Sequence, residues 1–299
     1  MNWKKYDILW RIDMGFLLRP QRKGVALIET SEWHYPFFNC DMVRVLLSQA
    51  IEVLYEGYTP HISLKDRAEG ETNWDTFFLQ PFDTELDKCC MGGGKTYRFL
   101  DMKTSLHYDY YIHTPYFPHH YRRWCRIFQK MVRLNETTAT YIDNEYQQLF
   151  QPGDKVLGVL CRATDYIGFK GLPIQPAVEI VIADAHKWMK KYGYNKIYLA
   201  TECSSIHEQF EVAFPNQIIT NQRTYYDAIM QEQNLDLIGK VHFDRPNDNY
   251  LKGLQYLSSM VLLSRCNALL AGNCGGSLFT LFYNNMQYEH SKIYRLGVY

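Results

Sequence analysis

The sequence predicts an α/β chain of two domains, the second built on a parallel, doubly wound sheet. Three observations predict it. The chain has 299 residues, more than one ordinary core needs. A strand–helix–strand order opens it, and short apolar runs alternate regularly with helical periodicities after residue 155. The expected division is a domain over 1–150 and a second over 151–299. Apolar residues at 46% and charged residues at 21% supply packed cores and exclude disorder as the main state.

The first strand is expected at 24–29, in the run Gly24-Val25-Ala26-Leu27-Ile28-Glu29. Val43, Leu46, Leu47, Ala50, Ile51 and Leu54 then recur at helical spacing over 41–58, where Gly57 stops the helix. Thr59 to Leu64 reads as a second strand, so this half begins as a βαβ unit. Residues 73–111 follow no regular pattern. Residues 118–150 read as one long helix with Trp124, Ile127, Phe128 and Met131 on one face, ended by Gln151-Pro152-Gly153-Asp154 at the domain boundary.

In the second half, strands are expected at 156–161, 196–201, 217–220 and 267–271. Helices are expected at 175–192, 204–214 and 250–264, with a last one from Leu278 to about Asn285. Parallel sheets of this kind take ligands at the carboxyl ends of their strands, so the residues just past each strand matter most.

Composition narrows the partners. Lys and Arg number 32 against 32 Asp and Glu, and this balance lacks the basic surplus that phosphate-backbone binding draws on, so no nucleic-acid partner is expected. The start, Met1-Asn2-Trp3-Lys4-Lys5, leads into no apolar signal region, which predicts a cytoplasmic protein. No run reaches the ~18 apolar residues of a membrane span, leaving peripheral contact as the expected limit. The 8 cysteines are scattered and read as buried thiols. Asn135-Glu136-Thr137 fits a glycosylation sequon that a cytoplasmic chain would not use.

Two apparent motifs are set aside. Met91-Gly92-Gly93-Gly94-Lys95-Thr96 has the look of a phosphate loop, but its required first glycine falls on Cys89. His113, His119 and His120 have no Cys or carboxylate at metal-ligand spacing. No Asp-x-Asp occurs in the chain, so no metal-held diphosphate and no metal cofactor are expected.

Arg162 lies one residue past the strand expected at 156–161, with Asp165 three further on. That places a planar donor where a diphosphate would rest and a carboxylate that orients it, although a structural Arg–Asp pair fits equally well. Gly272-Asn273-Cys274-Gly275-Gly276-Ser277 combines little side-chain bulk with a helix N-terminus, where backbone N–H groups can meet an anion, although taken alone an ordinary glycine-rich strand-to-helix turn is the favoured reading. Both features fall at carboxyl ends of one sheet and together form a diphosphate pocket.

The stretch Val156-Leu157-Gly158-Val159-Leu160-Cys161-Arg162-Ala163-Thr164-Asp165-Tyr166 resembles the His-x-Arg-x-x-Asp motif of the fucosyltransferase superfamily. Ile197-Tyr198-Leu199-Ala200-Thr201-Glu202 looks like that family's following strand, and Ser264 to Ser277 like its strand and phosphate turn. Asn73-Trp74-Asp75-Thr76-Phe77-Phe78 is similar to bacterial members found with surface-polysaccharide genes. The resemblance implies two Rossmann-like domains of the metal-independent GT-B glycosyltransferase type, with a GDP-sugar donor held by the second. It implies that Arg162 binds the β-phosphate, that Asp165 supports the site, and that Asn273, Cys274, Gly275, Gly276 and Ser277 receive the phosphates through their amides. The chain departs from the family at Leu160, where the motif has His, at Ala163, where a second Arg is common, and at Ser259, where an acidic residue often faces the base. Lys170 stands near where α1,6-enzymes carry a carboxylate.

The expected reaction is inverting transfer of fucose from GDP-fucose to a sugar hydroxyl of a glycan or lipid-linked oligosaccharide. The alternatives are transfer from another nucleotide-sugar, such as a rhamnosyl donor, and a catalytically inactive GDP-sugar-binding protein. The catalytic base is sought in the loop after the first strand, at His34 first and Glu32 second, with Asp41 read as a helix N-cap and Asp165 as a weaker candidate.

Overall fold

A computed structural model of the chain describes residues 23–30, 40–64, 73–82, 96–98, 118–168 and 170–299. Their first part holds β1 (Val25–Thr30), α1 (Cys40–Tyr55), β2 (Thr59–Leu64), the short α2 (Trp74–Phe77) and β3 (Thr96–Arg98). β1 lies between β2 and β3, parallel to both, and Ala26 pairs with Pro60 while Ile28 pairs with Ile62. The helical spacing read from 41–58 is met by burial, since Val43, Leu46, Leu47, Ala50, Ile51 and Leu54 are all packed in the core.

The long helix expected over 118–150 is two helices, α3 (Pro118–Met131) and α4 (Glu136–Leu149). Neither Gly nor Pro marks the break; Asn135 makes it. Its Oδ1 accepts from Thr138 N at 2.9 Å as an N-cap, while its Nδ2 donates to Asp75 O at 2.8 Å, and Leu134 bridges to Phe78. The apparent sequon is therefore a helix start held against α2.

The second sheet contains β4 (Val156–Leu160), β5 (Lys196–Ala200), β6 (Ile218–Ile219), β7 (Ala268–Gly272) and β8 (His290–Tyr294). All neighbours are parallel, in the order β6-β5-β4-β7-β8. Between them run α5 (Val178–Tyr192), α6 (Ser204–Ala213), α7 (Asp227–Glu232), α8 (Asp248–Ser264) and α9 (Gly275–Tyr283). β3, β8 and α7 do not stand out in the sequence. β8 is an edge strand whose Lys292 and Tyr294 both bond Asp184, so it lacks the apolar run of a central strand.

Side chains of the central strands alternate between two cores, as a pleated strand requires. Leu157, Val159, Ile197, Leu199 and Leu270 join Val181, Ala185, Ile206 and Phe210 of α5 and α6. Val156, Leu160, Tyr198, Ala200 and Leu269 join α8, α9, α4, α3, α1 and the first sheet in one larger core. Each fully buried Leu there contributes about 1.5–3 kcal/mol of transfer free energy. Gly158 lets α8 press close to the sheet, because a Cβ there would lie 3.1 Å from Leu263 Cδ2 and 3.2 Å from Cys266 Cβ. Helix α9 begins at Gly275, three residues earlier than expected, so Gly275, Gly276 and Ser277 form its first turn and the loop after β7 is shorter than the sequence suggested.

Candidate functional site

Within the second sheet the strand order runs 3-2-1-4-5, and its topological switch lies between β4 and β7. The β4–β5 register sets Leu160 opposite Ala200, so the second residue beyond each strand, Arg162 and Glu202, falls side by side. Arg162 Nη2 bonds Asp165 Oδ1 at 2.9 Å, and its Nη1 lies 3.4 Å from Glu202 Oε2. The guanidinium also rests 4.8 Å from the Tyr166 ring centroid.

Glu202 holds the loop that carries Arg162. Its Oε1 accepts from Ala163 N at 2.7 Å and from Thr164 Oγ1 at 2.9 Å. Thr164 has φ of +45°, a left-handed conformation that costs a β-branched residue of order 1–3 kcal/mol and persists only where its surroundings over-determine it. Burial opposes the Arg162 charge, yet Glu202 and Asp165 outweigh it and raise its pKa above the ordinary value. Burial likewise raises the Asp165 carboxyl, against the pull of Arg162 and with a further push from Glu202.

Arg162 and Glu202 face a cleft whose empty space, counted out to open solvent, is about 540 Å³. It runs from Leu160 past Ala200 and Thr201 to Arg223 and Thr224, with Lys252, Gln255, Tyr256 and Ser259 of α8 along its floor. Lys252 is 1% exposed and bonds Asp248 Oδ2 at 2.8 Å, which in turn accepts from Arg245 Nε at 2.7 Å. Burial raises the Asp248 carboxyl, and the donors Lys252, Arg245 and Phe243 N outweigh it, leaving it below the usual carboxylate range.

The turn after β7 is at the same sheet end but is not among the residues lining this cleft. Asn273, Cys274 and Ser277 are each under 5% exposed. Cys274 N donates to Ser277 Oγ at 3.1 Å, Ser277 Oγ to Cys274 O at 2.7 Å, and Gln175 Nε2 to Asn273 O at 3.0 Å. A Cβ on Gly276 would lie 2.8 Å from Met260 Sδ and 3.0 Å from Tyr256 Oη, so any larger residue would have to displace these side chains of α8. Tyr256 stands between the turn and the cleft, sharing the electrostatic environment of Cys274 and Arg162.

The residues expected to supply a base, Glu32 and His34, lie outside the described residues, as do residues 83–95 with the glycine run. Lys170 is exposed at a turn, and Ser259 is buried with its Oγ 2.9 Å from Asn221 Oδ1. Sequence reading missed Glu202, Arg223 and Lys252. The rule that found Arg162, inspection of each strand end, finds Glu202 once applied to β5 and Arg223 once applied to β6. Among the described residues no group of three His, Cys, Asp or Glu side chains could hold a metal ion, and no helix is long and apolar enough to cross a membrane.

No protein-family model matches the chain, and no curated protein matches it by sequence. Solved structures do match by fold. NodZ α-1,6-fucosyltransferase soaked with GDP-fucose aligns with a TM-score of 0.51 at 14% identity, over 88% of this chain and 92% of that one. A mutant of Arabidopsis thaliana FUT1 in complex with GDP aligns at 0.50 and 11% identity, over 98% of this chain and 75% of that one. POFUT1 in complex with GDP aligns at 0.50 and 7% identity, over 92% and 99%. The chain therefore shares the Rossmann-like, GT-B-type fold of these structures.

Proposed function

We propose that the chain is an inverting glycosyltransferase that takes fucose from GDP-fucose and passes it to a sugar hydroxyl of a glycan or lipid-linked oligosaccharide. The observation that carries this reading is Arg162, held at the carboxyl end of β4 beside a cleft, in a fold shared with structures that contain GDP or GDP-fucose. Breaking the glycosidic bond leaves negative charge on the diphosphate, and a fixed guanidinium in a partly dry cleft stabilises it far more than water does. Glu202 is the looser of the two Arg162 partners, at 3.4 Å against 2.9 Å, so Nη1 is the edge that turns to the ligand while Asp165 keeps the group in place. His34 and Glu32 are the proposed bases for the acceptor hydroxyl. Charge neutralisation by side chains and amides makes a metal unnecessary.

A thermal-shift panel of GDP, UDP, dTDP and their sugars tests the reading, because a ligand at 100 times its Kd stabilises the native state by about 2.7 kcal/mol. GDP and GDP-fucose are expected to give the largest shifts, and product analysis with GDP-[14C]fucose the transfer itself. A larger shift with UDP or dTDP would reassign the donor, and GDP binding without turnover would leave a donor-binding protein.

A further inference from the structure

We propose that Arg223 is the anion receptor of the cleft, sharing the diphosphate of the bound ligand with Arg162; only the ligand's identity rests on the nucleotide-sugar reading above. Among the described residues three cationic side chains line the cleft, Arg162, Arg223 and Lys252, and they differ in how their charge is met. Arg162 is paired with Asp165 at 2.9 Å and Glu202 at 3.4 Å, and Lys252 with Asp248 at 2.8 Å. Arg223 pairs with no carboxylate among the described residues. Its Nη1 donates to Thr201 O, and its Nη2 to Asn221 Oδ1 at 2.7 Å and Ser259 Oγ at 2.5 Å, all neutral acceptors. Its Nε is buried without an acceptor.

Glu202, the one carboxylate among the described residues of the cleft wall, is already engaged by Arg162, Ala163 N and Thr164 Oγ1. A guanidinium in a partly desolvated wall without a counter-ion is unfavourable, and a bound anion removes that cost. The group is also held ready. Asn221 Oδ1, which anchors it, accepts from Tyr198 Oη at 2.8 Å, and Asn221 Nδ2 donates to Gln255 O at 3.1 Å, so the fork is fixed from β5 and α8 before any ligand arrives. Arg162 follows β4 and Arg223 follows β6, two strands or ~10 Å apart, and both line one cleft.

Isothermal titration of GDP, guanosine and inorganic pyrophosphate into wild type, Arg223→Gln and Arg223→Lys tests this. Loss of charge-assisted hydrogen bonds in Arg223→Gln is expected to weaken GDP and pyrophosphate roughly 10- to 150-fold and to leave guanosine within about twofold. Should Arg223→Gln fail to fold, Arg223→Lys carries the same reading, since it keeps the charge without the fork and is expected to weaken GDP more than guanosine. Equal weakening of GDP and guanosine would place Arg223 on the nucleoside, and unchanged GDP affinity in a variant would confine it to structure; either overturns the proposal. Wild-type binding of pyrophosphate but no nucleotide would overturn the donor reading and leave the Arg223 arm standing, whereas binding of none of the three overturns both.

Discussion

Arg162 serves two carboxylates at once, and its chemistry depends on the fork that lets it do so. Lys at this position would keep the charge but offer a single ammonium, unable to hold Asp165 and still face a phosphate. Arg162→Lys is expected to lower transfer by roughly 30- to 1000-fold, about 2–4 kcal/mol of lost stabilisation of the leaving group, with little change in melting temperature. Steady-state transfer rates beside a thermal melt check it, and a rate near wild type would leave Arg162 with only the task of closing the end of β4. At this scale the sequence made Arg162 and Asp165 legible because they are three residues apart after a recognisable strand. Glu202, 40 residues from Arg162, was not legible, since only the register that pairs Leu160 with Ala200 brings the two together. Arg223 was hidden for a further reason, the two-residue length of β6, which leaves almost no strand signal before it.

Among elements, α9 shows how one sequence pattern serves two physical ends. The glycines after β7 read as a phosphate turn, but Gly276 is fixed by its contact with Met260 and Tyr256 of α8. Gly276→Ala is expected to cost about 1–3 kcal/mol through overpacking, seen as a melting temperature lower by several degrees, and an unchanged melt would show that α8 and α9 can part. The boundary at 131–136 was missed because the eye looks for Gly or Pro, whereas a capping Asn followed by an acidic residue starts a helix just as well. Helix α6 is capped from a distance. Burial pulls the Asp227 carboxyl upward, but Ser204 N, Ser204 Oγ, Cys203 Sγ and Ser205 N outweigh it and hold its pKa at about 2, below the ordinary carboxylate range. A depressed carboxylate stabilises the fold above its unfolded pKa and ceases to do so as pH falls through the folded one. Asp227→Asn is therefore expected to melt lower than wild type at pH 7, with the gap narrowing between about pH 4 and pH 2; a constant gap across that window would detach the stability of α6 from this charge.

For the whole molecule, the strand order and the balance of charge lead to the same region. Alternating strands and helices after residue 155 were enough to predict a parallel sheet, because each central strand is buried on both faces and reads as an apolar run. The order that places β4 between β5 and β7 is invisible in a linear pattern, and it is this order that sets the switch point and gathers Arg162, Glu202 and Arg223 at one end of the sheet. Of the three cations that line the cleft among the described residues, two are met by carboxylates and one is not, so this wall is set to receive negative charge. A divalent metal is usually held by one or two carboxylates beside the phosphates, and the single carboxylate among the described residues of the cleft is bound to Arg162, Ala163 and Thr164. Transfer from GDP-fucose, and the melting shift produced by GDP, are accordingly expected to be the same in EDTA as in Mg²⁺ or Mn²⁺. Loss of both in EDTA, with recovery on adding either ion, would mean that the diphosphate is held through a metal, and that the guanidiniums of the cleft answer to some other group of the ligand.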